Sequence, residues 1–270
     1  MSLYKRRKKS SPILGIVAIL VTIMLISLMS YVVYLQVTKD TIDKVTLCPA
    51  SGPKGEYVVL IDNTSPFPFT QKAALAQRLQ SMVSNEVPKG AMLTVFLLGE
   101  DFASNSEPLF EKCNPGQWSD ANKYDSNKKF IEKNFNESFA KPLADVVRKI
   151  PLDVRAKTSP IFEMLQLASM RGFNHSHADG EKRLIVFSDM AANTHEFSMY
   201  KNAQLNYRGF FKTLYGQKTT APGLRGALVT LNVMATEPAV TPYSTRMEFW
   251  AQYFSENNAS LEHVNPMEGL

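Results

Sequence analysis

Apolar positions fall into one long block near the N-terminus and a series of short blocks after it. The long block runs from Ile13 to Leu35 and contains no charged side chain. The short blocks are YVVLID at Tyr57 to Asp62, MLTVFLLG at Met92 to Gly99, RLIVFSD at Arg183 to Asp189 and ALVTLNVM at Ala227 to Met234. Each is a continuous apolar run rich in β-branched residues, as in a strand buried on both faces. Between them lie stretches of helical period. Thr70 to Ser84 carries Ala74, Leu75, Leu79, Met82 and Val83 on one face, with Thr70 as its N-cap. Ser126 to Ile150 is a helix that Pro142 should kink or divide. Ser159 to Gly172 opens with Pro160 in its first turn and closes on glycine. Asn206 to Tyr215 and Thr245 to Phe254 complete the helices, and residues 260 to 264 form a short edge strand. Alternating buried strands and helices predict an α/β fold, a doubly wound and mainly parallel sheet covered on both faces.

The long block is a transmembrane helix by length. At about 1.5 Å per residue it spans roughly 34 Å, enough for a bilayer core. Tyr31 and Tyr34 lie at its far end, where aromatic belt residues sit. A cleaved signal peptide is the alternative, but its apolar core is shorter, about 7–15 residues, and ends at a small-residue site. The sequence VTKDTIDK follows here instead.

Charge then sets the orientation. The chain of 270 residues has a formal net charge of +5. Lys5, Arg6, Arg7, Lys8 and Lys9 carry an equal positive charge in a tail without acids. The rest of the chain is therefore neutral, which excludes a basic nucleic-acid face. A basic cluster before the helix keeps the N-terminus cytoplasmic. The expected organisation is a cytoplasmic basic tail at 1–11, a transmembrane helix at 12–36, a stalk at 37–55 and an extracytoplasmic domain at 56–270. The protein would lie in the inner (plasma) membrane, facing the periplasm. The stalk assignment rests on Pro49, Gly52, Pro53 and Gly55. Two cysteines, Cys48 and Cys113, would face an oxidising compartment, and their even count predicts one disulfide.

In an open α/β sheet, ligands bind beyond the carboxyl ends of the strands. The first strand ends in Asp62-Asn63-Thr64-Ser65-Pro66 and the third in Ser188-Asp189-Met190, while Thr158-Ser159-Pro160 opens a helix. These segments supply carboxylates and hydroxyls, the oxygen ligands that suit a hard ion such as Mg²⁺. The same residues are ordinary turn formers and caps. Other chemistry has no motif behind it. There is no G-x-S-x-G elbow and no glycine-rich phosphate loop, and His175, His177 and His195 match no zinc spacing. Glycosylation sequons occur at Asn63, Asn136, Asn174 and Asn258.

VVLIDNT, the Thr-Ser pair opening a helix, and LIVFSD together resemble a von Willebrand factor type A domain, over about residues 56 to 265. The resemblance implies a Rossmann-like sheet and a metal-ion-dependent adhesion site built from an Asp-x-Ser-x-Ser loop, a separate Thr and a separate Asp. Asp62 matches the loop Asp and Thr64 its first hydroxyl. Pro66 stands at the third position, where the family has a hydroxyl, and Ser65 is the neighbouring substitute. Thr158, with Ser159 next to it, matches the separate Thr, and Asp189 the final Asp. The expected reading is a non-enzymatic, membrane-tethered interaction module in an envelope complex. It would bind a protein partner, with Mg²⁺ as its cofactor. The alternative is an envelope hydrolase using the two carboxylates and a metal-bound water.

Overall fold

The structure, a computed structural model, describes residues 12–37, 40–67, 69–101, 105–121, 127–151, 153–175, 180–201, 205–234 and 241–267. The basic tail and His177 lie outside the described residues. The chain divides into two units, Met1–Thr41 and Ile42–Leu270.

Among the described residues, the first unit contains the helix α1 (Pro12–Val37). Within it, Gly15–Tyr34 has a mean hydropathy of 2.7 and is long and apolar enough to cross a membrane. Large apolar side chains are exposed on all sides, from Ile13 through Met24 to Tyr34.

The second unit is built on β1 (Glu56–Asp62), β2 (Met92–Leu98), β3 (Phe110–Cys113), β4 (Lys182–Ser188), β5 (Leu228–Met234) and β6 (Ser260–Met267). Their spatial order is β3-β2-β1-β4-β5-β6. All neighbours pair in parallel except β3, which runs antiparallel to β2. The helices are α2 (Phe69–Asn85), α3 (Lys128–Phe135), α4 (Lys141–Lys149), α5 (Ile161–Gly172), α6 (Tyr207–Phe211), α7 (Leu214–Lys218) and α8 (Tyr243–Glu256).

Alternation along the central strands sends side chains to two cores. Val58, Leu60, Leu184, Val186, Val229 and Leu231 face α5 and α8, whose Phe162, Leu165, Phe249, Trp250 and Tyr253 fill that side. Tyr57, Val59, Ile61, Leu93, Val95 and Phe187 face the other way, against Leu75, Leu79 and Met82 of α2 and against Phe139 and Leu143. Every residue of β1 and β2 is buried, which is why these strands are near-continuous apolar runs. Gly172 lets the end of α5 approach β1 closely. A Cβ there would meet Val58 Cγ2 at 2.4 Å.

Several local expectations change. Thr70 lies inside α2, which begins at Phe69. Pro142 does not break its helix: a π-helical turn at Asn136–Ala140, just before it, joins α3 to α4 continuously. That turn absorbs the backbone bond a proline cannot make. The expected helix at 206–215 is two short helices, separated where Thr213 caps α7 through its hydroxyl. β3 arises in a stretch expected to be irregular, and its Phe110 and Cys113 are the buried positions of an otherwise polar strand. The final strand extends to Met267.

Residues 42–55, expected as stalk, fold into the second unit. Asp43 Oδ1 accepts hydrogen bonds from the amides of Val45 and Thr46, at 2.9 and 2.7 Å. Cys113 N donates to Thr46 O at 2.7 Å. Cys48 and Cys113 are joined in a disulfide with Cα atoms 4.9 Å apart, which fastens this segment to the end of β3. A second clamp crosses the same sheet edge. His175 Nδ1 lies 3.0 Å from buried Glu56 and Nε2 lies 3.4 Å from Glu111. These hydrogen bonds, chiefly to Glu111 and then Glu56, push the imidazole pKa up to about 9.

Two outcomes are expected. The bridge closes a sequence separation of 65 residues, so Cys113→Ser should cost about 2–4 kcal/mol. Denaturant unfolding of variant and wild type would measure this, and coincident curves would show that the native protein lacks the bridge. The His175 clamp has the sign of a raised pKa. Its contribution is complete below about pH 6.5 and is lost as pH rises through about 9. Stability should therefore fall between pH 7 and pH 10 by on the order of 1–3 kcal/mol. Melts across that range should show no such fall for His175→Gln.

Candidate functional site

β1 and β4 are neighbours, and Ile61 lies opposite Phe187. The next residue on each strand is therefore a polar one at the same sheet end, Asp62 and Ser188. Connections leave this point in opposite directions along the strand order, towards β2 from β1 and towards β5 from β4. Such a switch point is where an open α/β sheet offers its crevice.

Asp62 is 2% exposed, and both its carboxylate oxygens are engaged. Thr64 N and Thr64 Oγ1 donate to Oδ1 at 2.8 and 2.7 Å, an Asx turn that folds the loop back on the strand end. Ser188 Oγ donates to Oδ2 at 2.6 Å. Ser159 Oγ lies 3.0 Å from Thr64 Oγ1. Thr64 has a single hydroxyl hydrogen and uses it on Asp62, so Ser159 is the donor in that contact. Ser159 is held there by paired backbone bonds with Asn193, at 2.7 and 3.0 Å.

Asp189 is 3% exposed. Ala191 N donates to its Oδ1 at 2.8 Å. Tyr200 OH donates to Oδ2 at 3.0 Å, and Ser65 Oγ lies 3.4 Å from the same oxygen. The structure thus brings together Asp62, Thr64, Ser65, Ser159 and Asp189. Thr158 is half-buried next to the set, and the hydroxyl that reaches Thr64 is that of Ser159. Pro66 is exposed at the loop tip. Asn63, the first sequon, is buried and donates to Pro151 O at 3.5 Å. His195 is exposed and outside the site.

Ser188 belongs to a strand-end segment already singled out for its hydroxyl, whereas Tyr200, in a loop without a motif, and Arg246, whose charge acts on Asp189, were not anticipated. Arg246 carried a signal. It stands four residues before Trp250 on α8, so a charge shares the apolar face of that helix. Trp250 Nε1 donates to Met190 O at 2.7 Å, which sets that face against the segment following β4. Arg246 is 6% exposed, and among the described residues its Nε and Nη1 meet no hydrogen-bond partner.

Burial, and then the charge of Asp189, pushes the Asp62 carboxyl up to about 6, against the hydrogen bonds from Ser188 and Thr64. Burial also raises Asp189, opposed by the Ala191 amide, Tyr200, the Arg246 charge and Ser65. The cavity lined by Asp62, Ser65, Pro66, Ser188 and Asp189 is about 10 Å³, the space that one water needs. Mg²⁺ takes near-octahedral oxygen ligands and keeps several waters. Here all four carboxylate oxygens already accept hydrogen bonds from the protein, Pro66 offers no side-chain oxygen, and the positive charge of buried Arg246 acts on Asp189. Among the described residues no group of three or more His, Cys, Asp or Glu side chains is placed to hold a metal. As arranged, the residues do not fit a hydrated Mg²⁺.

No family model matches the chain. No curated protein matches it either. Solved structures do. The VWA domain of SpRpn10 aligns over 81% of this chain and 89% of its own, at 9% identity and a TM-score of 0.42. The human COPII-coat protein Sec24c aligns over 79% of this chain and 30% of its own, at 10% identity and a TM-score of 0.43. Proximal thread matrix protein 1 of the mussel byssus aligns over 80% and 43%, at 11% identity and a TM-score of 0.36. Likenesses this distant carry no inference about what the chain does.

The raised pKa of Asp62 means that the fold prefers its protonated form. That contribution is complete below about pH 3.8 and is lost as pH rises through about 6. Asp62→Asn should therefore raise stability at pH 7.5 by about 1–3 kcal/mol, and the gain should disappear near pH 4. Denaturant unfolding in EDTA at both pH values measures it. A variant less stable than wild type at pH 7.5 would show that the ionised carboxylate is the favoured form.

Proposed function

We propose that this chain is a membrane-anchored interaction module, a subunit of an envelope complex, whose strand-end face docks a partner protein. The observation that carries this reading is the closed state of the site. Asp62 and Asp189 face a space of about 10 Å³ and are tied to hydroxyls and amides of their own chain. A hydrolase would need a substrate and a reactive water beside a free carboxylate. We therefore read the site as a rigid support for the loops above it, and the domain as non-enzymatic. Those loops carry the exposed residues Pro66, Lys157, His195 and Glu196, a mixed polar surface around the switch point.

The anchor reading rests on the apolar stretch Gly15–Tyr34. Lys5 to Lys9 on its N-terminal side favour a cytoplasmic N-terminus. The Cys48–Cys113 bridge suits an oxidising compartment for the second unit, which in a bacterial host is the periplasm.

The test has two arms. A reporter active only outside the cytoplasm, fused after Leu270, should be active, and an expressed but inactive fusion would overturn the orientation. Crosslinking in intact membranes, with a photo-reactive residue at position 66 or 195, should capture a protein partner. Capture should weaken at least tenfold in a Lys157→Glu, Glu196→Lys variant, since rim charges govern encounter and register. Equal capture by that variant, or capture only from sites on α3, would move the interface elsewhere.

A further inference from the structure

α2 and the α3–α4 helix cover the same face of the sheet without closing on each other. Between them lies a groove of about 870 Å³, the size of a small-molecule site. Small side chains keep its mouth open, Ala76 on α2 and Ala144 on α4, both exposed. Its floor is apolar. Leu75, Leu79 and Val83 of α2 face Leu143 and Ile150, and all five are buried. None of the large apolar side chains that line the groove is exposed. A partner helix seats on exposed apolar anchors, whereas a slim chain can pass the alanines and reach this recessed floor.

Length and charge narrow the occupant further. Lys72 and Ser84 both line the groove along α2, and at about 1.5 Å per residue they stand roughly 18 Å apart. One leaflet of a bilayer core, half of about 30 Å, has a similar depth, so an alkyl chain of membrane-lipid length fits lengthwise. Lys72 pairs with Asp153, which follows α4, so α2 and α4 run in opposite directions. Towards that end Arg148 pairs with Asp145. Lys141, at the start of α4, lies at the other end with Gln80, Ser84 and Asn136. Lys141 enters no ion pair among the described residues. The groove's other two cations are matched by its two acids, so the charge of Lys141 is left over.

We propose that this groove binds a single-chain anionic amphiphile, a long-chain carboxylate of the fatty-acid class, with its alkyl chain between α2 and α4 and its carboxylate at Lys141. The side-chain amides of Gln80 and Asn136 and the hydroxyl of Ser84 supply further donors at that end. The groove and the strand-end crevice share no lining residue. The inference therefore stands whether or not the strand-end face docks a partner.

The test uses the full chain in phosphatidylcholine nanodiscs, and the probe is palmitate with a photo-reactive diazirine in its chain. Mapped crosslinks should fall within 70–85 and 135–151, and unlabelled palmitate should compete them away. The Ala76→Phe, Ala144→Phe double variant fills the groove from its mouth. It should cut this labelling at least about tenfold relative to labelling of α8. Lys141→Glu should raise the palmitate needed for half-competition by about fivefold. Hexadecyltrimethylammonium, with the same chain and the opposite charge, should compete at least about tenfold more weakly than palmitate. Unchanged labelling in the double variant would overturn the proposal, as would equal competition by the cation. A photo-reactive residue at position 76 that captures a protein in intact membranes, with no displacement by palmitate, would also overturn it and make this a helix-docking groove. If the double variant does not fold, Lys141→Glu and the competition by the cation still decide.

Discussion

The carboxylate of Asp62, buried where β1 ends, is the constraint around which this end of the molecule is arranged. A charged group cannot remain at that depth without strong donors. The donors come from three separate parts of the chain. Thr64 turns the loop after β1 back on itself, Ser188 reaches across from β4, and Ser159 supports Thr64 from the segment before α5. Each of these contacts fixes a connection that would otherwise be free. Asn193 pairs with Ser159, so the loop after β4 is held by the same network.

That network depends in turn on two packed layers behind it. On one side, Phe162 lies among Phe197, Phe210, Phe249, Trp250 and Tyr253, with Phe162–Trp250 ring centroids 4.8 Å apart. These rings hold α5 and α8 together and so hold Ser159 and Arg246 in relation to the strand ends. On the other side, α2 and the π-kinked α3–α4 helix cover the sheet with aliphatic and phenylalanine side chains. The opposite end of the sheet is secured differently. There the disulfide and the His175 clamp bind an edge strand with few buried apolar contacts.

The physical consequence is a site that is stiff and closed. Hydrogen bonds between buried groups strengthen one another in a low-dielectric setting, and a network satisfied internally offers little to a small ligand. A stiff support with exposed loops above it is the arrangement in which binding residues are commonly presented. In the function proposed above, Asp62 and Asp189 would support such loops.

Much of this was legible in the sequence. The apolar run from Ile13 to Leu35, the four buried strands and the helices of strong period follow from one-dimensional patterns that any buried element must show. Asp62, Thr64 and Asp189 were legible because strand ends at a switch point are where polar residues matter. What only the tertiary structure decided involves residues distant along the chain. β3 is a strand because Cys113 and Phe110 find β2 and the 42–55 segment, since its own pattern is mostly polar. Ser159, and not Thr158, meets Thr64 because the pairing with Asn193 sets which hydroxyl turns inward. Arg246 is buried on the face of α8 that Trp250 docks on Met190. Periodicity records which face of an element is buried, but the charge that faces a given carboxylate is set only when the elements pack.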